Sequence, residues 1–164
     1  MTMTPAYPTD LRIEDRLREF GLDLPQVAAP VGAYVPALIS GDHVYTSGQL
    51  PLTNGKLAVT GKVGATVTVD EAKNQAAICA VNALAAIKAA IGSLEQITQI
   101  VKVVGFVAST PEFTQQPAVV NGASELLGEV FGPAIGAHAR SAVGVAALPL
   151  DAPVEIEITV RFRK

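Results

Sequence analysis

The chain offers one cysteine, Cys79, in 164 residues, so no intrachain disulfide can form and a reducing cytoplasm suits it best. It has no CxxC, HExxH, Walker loop or GxGxxG. Its two histidines, His43 and His138, stand far apart in sequence with no obvious metal partners, so neither a metal nor a cofactor is expected. Tryptophan is absent, and aromatic residues make up 5%. Charged residues reach only 16%, with a net charge of −3 and a pI near 5.3. That balance argues against a phosphate-binding surface, and the few aromatics supply no stacking platform, so nucleic acid is not an expected partner. No run approaches the roughly 20 apolar residues that span a bilayer. Residues 1–10 lack a basic stretch followed by an apolar one, which reads as no signal peptide and no membrane partner.

Apolar residues are plentiful at 49%, enough for one domain with a real core. Residues 1–30 read as an extension. Thr9 or Asp10 can cap a short helix carrying Leu11, Leu17 and Phe20, Glu14 can pair with Arg18, and Gly21 stops it. Pro25 and Pro30 bracket a linker, and residues 31–164 form the main domain. Two strand-like runs, 33–39 and 43–47, flank Gly41-Asp42 as a hairpin, and Asn54-Gly55 marks a second turn. Residues 56–68 read as a Gly-rich loop with a short extended piece. Residues 70–91 make the best helix: alanine-rich, free of Gly and Pro, striped by Ala76, Cys79, Ala80, Ala83, Leu84, Ile87 and Ile91, and closed by Gly92. Cys79 falls on that stripe and reads as an inert core thiol.

Residues 98–109 predict a strand apolar on both faces, and 116–131 a second helix weakened by Gly122 and Gly128. Two strands end the chain, 139–147 and 154–162. The second alternates strictly, with Val154, Ile156, Ile158, Val160 and Phe162 against Glu155, Glu157, Thr159, Arg161 and Arg163. The order β-β-α-β-α-β-β predicts an α+β fold with two helices on one face of a mostly antiparallel sheet. Helices cover only one face, so another copy of the chain is the simplest cover for the other.

The segment His138-Ala139-Arg140-Ser141-Ala142-Val143-Gly144-Val145 is the most informative. In a strand, Arg140, Ala142 and Gly144 share one face and Val143 and Val145 the other. If the valines face the core, Arg140 lies on the face away from the helices, with open space before a guanidinium fork suited to a carboxylate. The competing reading is an arginine paired with a structural Glu. Glu155 and Glu157 carry either a proton-transfer carboxylate or ordinary solvated charges. Ser47 has no nucleophile elbow around it, Gly48 permits close backbone approach, and Tyr34 either lines a cleft or packs. Asn121-Gly122 is a local inconsistency inside a helix, and His138 is either a pocket-rim or a surface residue. If the last two strands form a hairpin around residues 148–153, Glu155 pairs near Ala146. It then lies on the order of 20 Å from Arg140, so the two do not share a site in one chain.

Taken in order, these motifs resemble one family. Thr46-Ser47-Gly48-Gln49-Leu50-Pro51 is similar to the [T/S]SGQ-x-P segment of reactive intermediate deaminase (Rid, or YjgF-type) proteins. Arg140-Ser141-Ala142-Val143, Leu148-Pro149 and Val154-Glu155-Ile156-Glu157 resemble their R-S-x-V…LP…[VI]-E-[IV]-E ending. Val103–Val107, Phe113 and Val120-Asn121 resemble the segment between, so the likeness covers roughly residues 31–164. The resemblance implies a chorismate-mutase-like fold, a homotrimer with clefts between protomers, and hydrolysis of small 2-imino acids to 2-keto acids and ammonia without metal or cofactor. By motif position it assigns Arg140 to the substrate carboxylate and Glu155 to the attacking water, and places Tyr34, Ser47, Gly48, Asn121 and Ala142 in the pocket lining. His138, Ala142, Ala33 and Pro36 depart from the common pattern. With the extra N-terminal helix they suggest a less-studied branch, and leave a non-catalytic trimeric binder of small carboxylates or protein partners as the alternative.

Overall fold

The computed structural model describes residues 12–30 and 32–164. In chain order it contains α1 (Ile13–Glu19), β1 (Ala37–Ser40), β2 (His43–Thr46), β3 (Leu52–Thr53), β4 (Lys56–Leu57), α2 (Val69–Ile91), β5 (Ile97–Ala108), α3 (Gln116–Ile135), β6 (Ala139–Val145) and β7 (Val154–Phe162). The expected roles of Thr9, Asp10 and Leu11 lie outside the described residues. Arg12 stands at the start of α1 without a side-chain cap. Leu17 is fully buried, and Arg16 donates to the Val130 carbonyl, so the short helix is seated on α3. The expected Glu14–Arg18 pair does not form. Glu14 meets Lys88 of α2, and Arg18 pairs with Asp15 and Asp23, because docking turns Glu14 toward the core helices.

Both turn signals hold. β1 and β2 form an antiparallel hairpin through Gly41 (φ 63°). Asn54 (φ 51°) and Gly55 (φ 75°) give the two positive-φ residues of a primed turn between β3 and β4. β1 begins only at Ala37, leaving Tyr34 in the preceding bend, since Pro36 lacks the donor a ladder needs. α2 opens on a reciprocal capping box: the Glu71 amide donates to the Thr68 hydroxyl and the Thr68 amide to the Glu71 carboxylate. The helix has the length and composition of a membrane span, yet 61% of its most apolar stretch is buried inside the domain. α3 is broken at Gly132 (φ 80°, ψ 168°), where the expected helix stops, and Pro133 starts a final turn.

The main sheet runs β1-β2-β7-β5-β6, antiparallel except for β5 and β6. That parallel pair overturns the expected terminal hairpin. The crossover through α3 returns β6 alongside β5 in the same direction, and β7 then pairs with the opposite edge of β5. Val44, Ile100, Val103, Val107, Val154, Ile156, Ile158 and Val160 are buried beneath α2 and α3. The opposite face carries Tyr45, Phe106, Val143, Glu155, Glu157 and Thr159, none of them fully buried.

Candidate functional site: an arginine clamp and a separate carboxylate

In register, Arg140 stands opposite Val103, Ala142 opposite Gly105 and Gly144 opposite Val107. Residues opposite one another share a face, so Arg140 lies on the helix side of the sheet, not on the open side. The valines misled because apolar β-branched residues are ordinarily taken for core. Here Val143 is 45% exposed on the open face. Small residues occupy the inner positions instead, and Ala142 packs against the core below α3.

That placement sets the guanidinium against α3. Arg140 Nη1 donates to Asn121 Oδ1 at 2.7 Å and to Ser124 Oγ at 3.2 Å. Asn121 and Ser124 sit three residues apart, on one stripe of the helix. Nη2 reaches the Pro117 carbonyl only at 3.5 Å. The fork formed by Nε and the outer Nη2 proton is the edge suited to a carboxylate. The Asn121-Gly122 inconsistency resolves into two tasks. Asn121 steadies the arginine, while Gly122 lets α2 approach: a Cβ there stands 1.9 Å from the Lys73 carbonyl oxygen. Ala142 lies beside the clamp, two residues along the same face.

His138 extends the cluster. Its Nδ1 is 2.7 Å from the Gly136 carbonyl and its Nε2 is 2.9 Å from Ser124 Oγ. A carbonyl only accepts, so Nδ1 carries a proton toward Gly136; with Nδ1 as the protonated tautomer, Nε2 accepts from the Ser124 hydroxyl, whose oxygen in turn accepts from Arg140. Ser124 escaped the sequence reading. The available signal was its spacing from Asn121 on one helix face.

The other expected residues gather elsewhere. Tyr34, Gly48 and Gln49, with Ala28–Pro30, Pro36, Leu50 and Leu52, line a small cleft of about 30 Å³. Glu155 lies behind Gly48, where any Cβ stands 1.8 Å from Glu155 Oε1, so the close approach that glycine permits is to this carboxyl. Ser47 donates its hydroxyl to the Val35 carbonyl at 2.6 Å, which fixes the loop before β1. Burial raises the Glu155 carboxyl above its ordinary range, and the neighbouring Glu157 adds to the shift. Cys79, fully buried, donates to the Val154 carbonyl, and burial pushes its thiol well up, as an inert core thiol requires. Among the described residues no three metal-ligating side chains cluster.

Arg140 and Glu155 stay apart within one chain, though not through a hairpin. Glu155 is opposite Phe106, three residues along β5 from Val103, on the far neighbouring strand and the far face. Strand geometry puts their Cα atoms roughly 14 Å apart.

Comparison with known proteins places this architecture. Residues 14–159 match the family described as "YjgF/chorismate_mutase-like, putative endoribonuclease". Protein TCP17 of Trypanosoma cruzi is 43% identical over 151 residues, covering 92% of this chain and 94% of that protein. The crystal structure of Atu1372 from Agrobacterium tumefaciens, a protein of unknown function, superposes with a TM-score of 0.86 at 51% identity over 92% of each chain. The structure of Escherichia coli TdcF with bound serine superposes at 0.62 and 25% identity, over 85% of this chain and 94% of that one. With its fold and most of its length matched, the chain belongs to the YjgF/chorismate mutase-like family.

Proposed function

We propose that the protein is an enamine/imine deaminase that hydrolyses small 2-imino acids to 2-keto acids and ammonia. The observation that carries this reading is the Arg140 guanidinium, held on Nη1 by Asn121 and Ser124, with only a long contact from Nη2 to the Pro117 carbonyl. A two-donor cation of fixed plane selects a small carboxylate. The serine bound to TdcF is itself a small carboxylate, which supports the same ligand class here. Water adds to the imine carbon and ammonia departs. Glu155, with its affinity for a proton raised by burial, suits the handling of that water.

Glu155 lies on the opposite face from Arg140, so a cleft containing both takes Glu155 from a neighbouring protomer. A homotrimer joined through the open sheet face accounts for the exposed Leu38, Tyr45 and Val143. The same separation favours the second reading, a trimeric binder of small carboxylates without catalysis. Mixing purified protein with a pyridoxal-dependent serine or threonine dehydratase decides between them. Keto-acid release faster than spontaneous imine hydrolysis supports the deaminase, and an unchanged rate alongside keto-acid binding supports the binder.

A further inference from the structure

We propose that the cavity between residues 25–29, the β3–β4 hairpin and α2 is a second binding site. Its ligand is an uncharged molecule with an apolar body and an N–H or O–H donor for Asn82. This site stands apart from Arg140 and does not rest on the deaminase reading.

The cavity measures about 520 Å³, a volume in the range of small-molecule sites. Residues 25–29, in the segment between α1 and β1, form one wall, and Leu52, Asn54 and Gly55 supply another. Asn82, only 6% exposed, enters from the middle of α2. Among the described lining residues none is charged, and Pro25, Val27, Ala28, Ala29 and Leu52 are apolar. An ionised ligand loses hydration there and finds no opposite charge to replace it, so the occupant is neutral.

Asn82 sets the polar requirement. A side-chain amide buried on a helix has two N–H donors and one oxygen acceptor to satisfy. Both donors are occupied: Nδ2 donates to the Leu50 carbonyl at 2.9 Å and to the Leu52 carbonyl at 3.0 Å. Those carbonyls also fix which end of the amide is nitrogen, because an oxygen in its place meets two further acceptors. Oδ1 accepts from no donor among the described residues, and it is not walled off as the unpartnered Gln75 Oε1 is. Oδ1 is therefore the polar atom that Asn82 offers to a molecule in the cavity, and an acceptor selects a donor. An apolar occupant without one leaves a buried acceptor unpaired. The cavity shares Ala28, Ala29 and Leu52 with the Tyr34–Gly48 cleft, so its occupant rests on residues that also shape that cleft.

The test uses the full chain and indole, a flat apolar ring with one N–H donor. The protein has no tryptophan, so indole fluorescence is read without background, and NMR on isotope-labelled protein locates the contact. Amide shifts are expected to centre on residues 26–29, on residues 52–55 and on the Asn82 side chain. N-methylindole, which lacks the donor, is expected to bind about 10-fold more weakly. Asn82→Ala strips the Leu50 and Leu52 carbonyls of their donor and endangers the fold, so the methylated probe reads Asn82 in the wild-type protein instead. Val27→Phe narrows the cavity from the wall of residues 25–29 and is expected to weaken indole binding about 10-fold, with circular dichroism unchanged. Shifts gathered elsewhere, equal affinity for the two probes, or wild-type affinity in Val27→Phe each overturn the proposal. No saturable binding at millimolar indole overturns it too. Affinity that falls as protein concentration rises shows a second copy of the chain in the cavity, and likewise overturns it.

Discussion

In the proposed site, the selectivity of Arg140 for a carboxylate would come from what holds it. Two of its five N–H donors are occupied by Asn121 and Ser124, so the guanidinium plane is fixed before a ligand arrives and less entropy is lost on binding. Replacing Arg140 with Ala is expected to weaken 2-keto acid binding by about 3 kcal/mol, roughly 100-fold in Kd, without unfolding the protein. Arg140→Lys is expected to remain impaired, because an ammonium lacks the fork. Calorimetry on both variants, with circular dichroism as the folding control, checks this. Glu155 makes a different prediction. Its raised carboxyl means that the ionised form costs folding stability, a cost absent when pH is well below the ordinary carboxylate range and complete above the raised value. Glu155→Gln removes it, so thermal melts are expected to show the variant more stable than wild type at neutral pH, with the advantage vanishing on acidification.

Among the elements, the close approach of α2 to α3 at Lys73 requires a glycine at position 122. The Gly122 Cα faces the Lys73 carbonyl so closely that a methyl group has no room, and the obstacle is backbone. Gly122→Ala is therefore expected to destabilise the fold by about 1–3 kcal/mol through overpacking, despite the better helix propensity of alanine. Gly128 of the same helix has open space where its Cβ would stand. Gly128→Ala is expected to leave stability unchanged or raise it by up to about 1 kcal/mol. Urea titrations of the two variants side by side separate packing from propensity.

For the whole molecule, the open sheet face decides the assembly. Leu38 (60% exposed), Tyr45 (47%) and Val143 (45%) share it with Phe106 and Glu155. Apolar surface of that kind calls for a partner, and in the proposed homotrimer a second and third copy would supply one that also carries Glu155. Light scattering at micromolar concentration is expected to report a trimer, and a monomer refutes the interface. Mixing Arg140→Ala chains with Glu155→Gln chains is expected to restore part of the activity once subunits exchange. Exchange confirmed by mass spectrometry with no recovery rules out a shared cleft.

Local chemistry was legible in the sequence. Alanine-rich periodicity located α2, strict alternation gave β7 its bounds, Asn54-Gly55 and Gly41 placed two turns, and the ordered motifs pointed to the family. These signals depend on contacts between residues close in the chain or on one face of one element. The face of β6, the partner of β7 and the meeting of Ser124 with His138 depend on which strand lies beside which. Because side chains alternate with period two, the face that Arg140 occupies follows from how β6 docks against β5 and α3, and apolar valines on the outer face reverse the usual cue. The sequence by itself thus determined the main elements and singled out Arg140. Tertiary structure alone decided that the clamp faces α3, that Ser124 and His138 join it, and that Glu155 stands on the other side of the sheet.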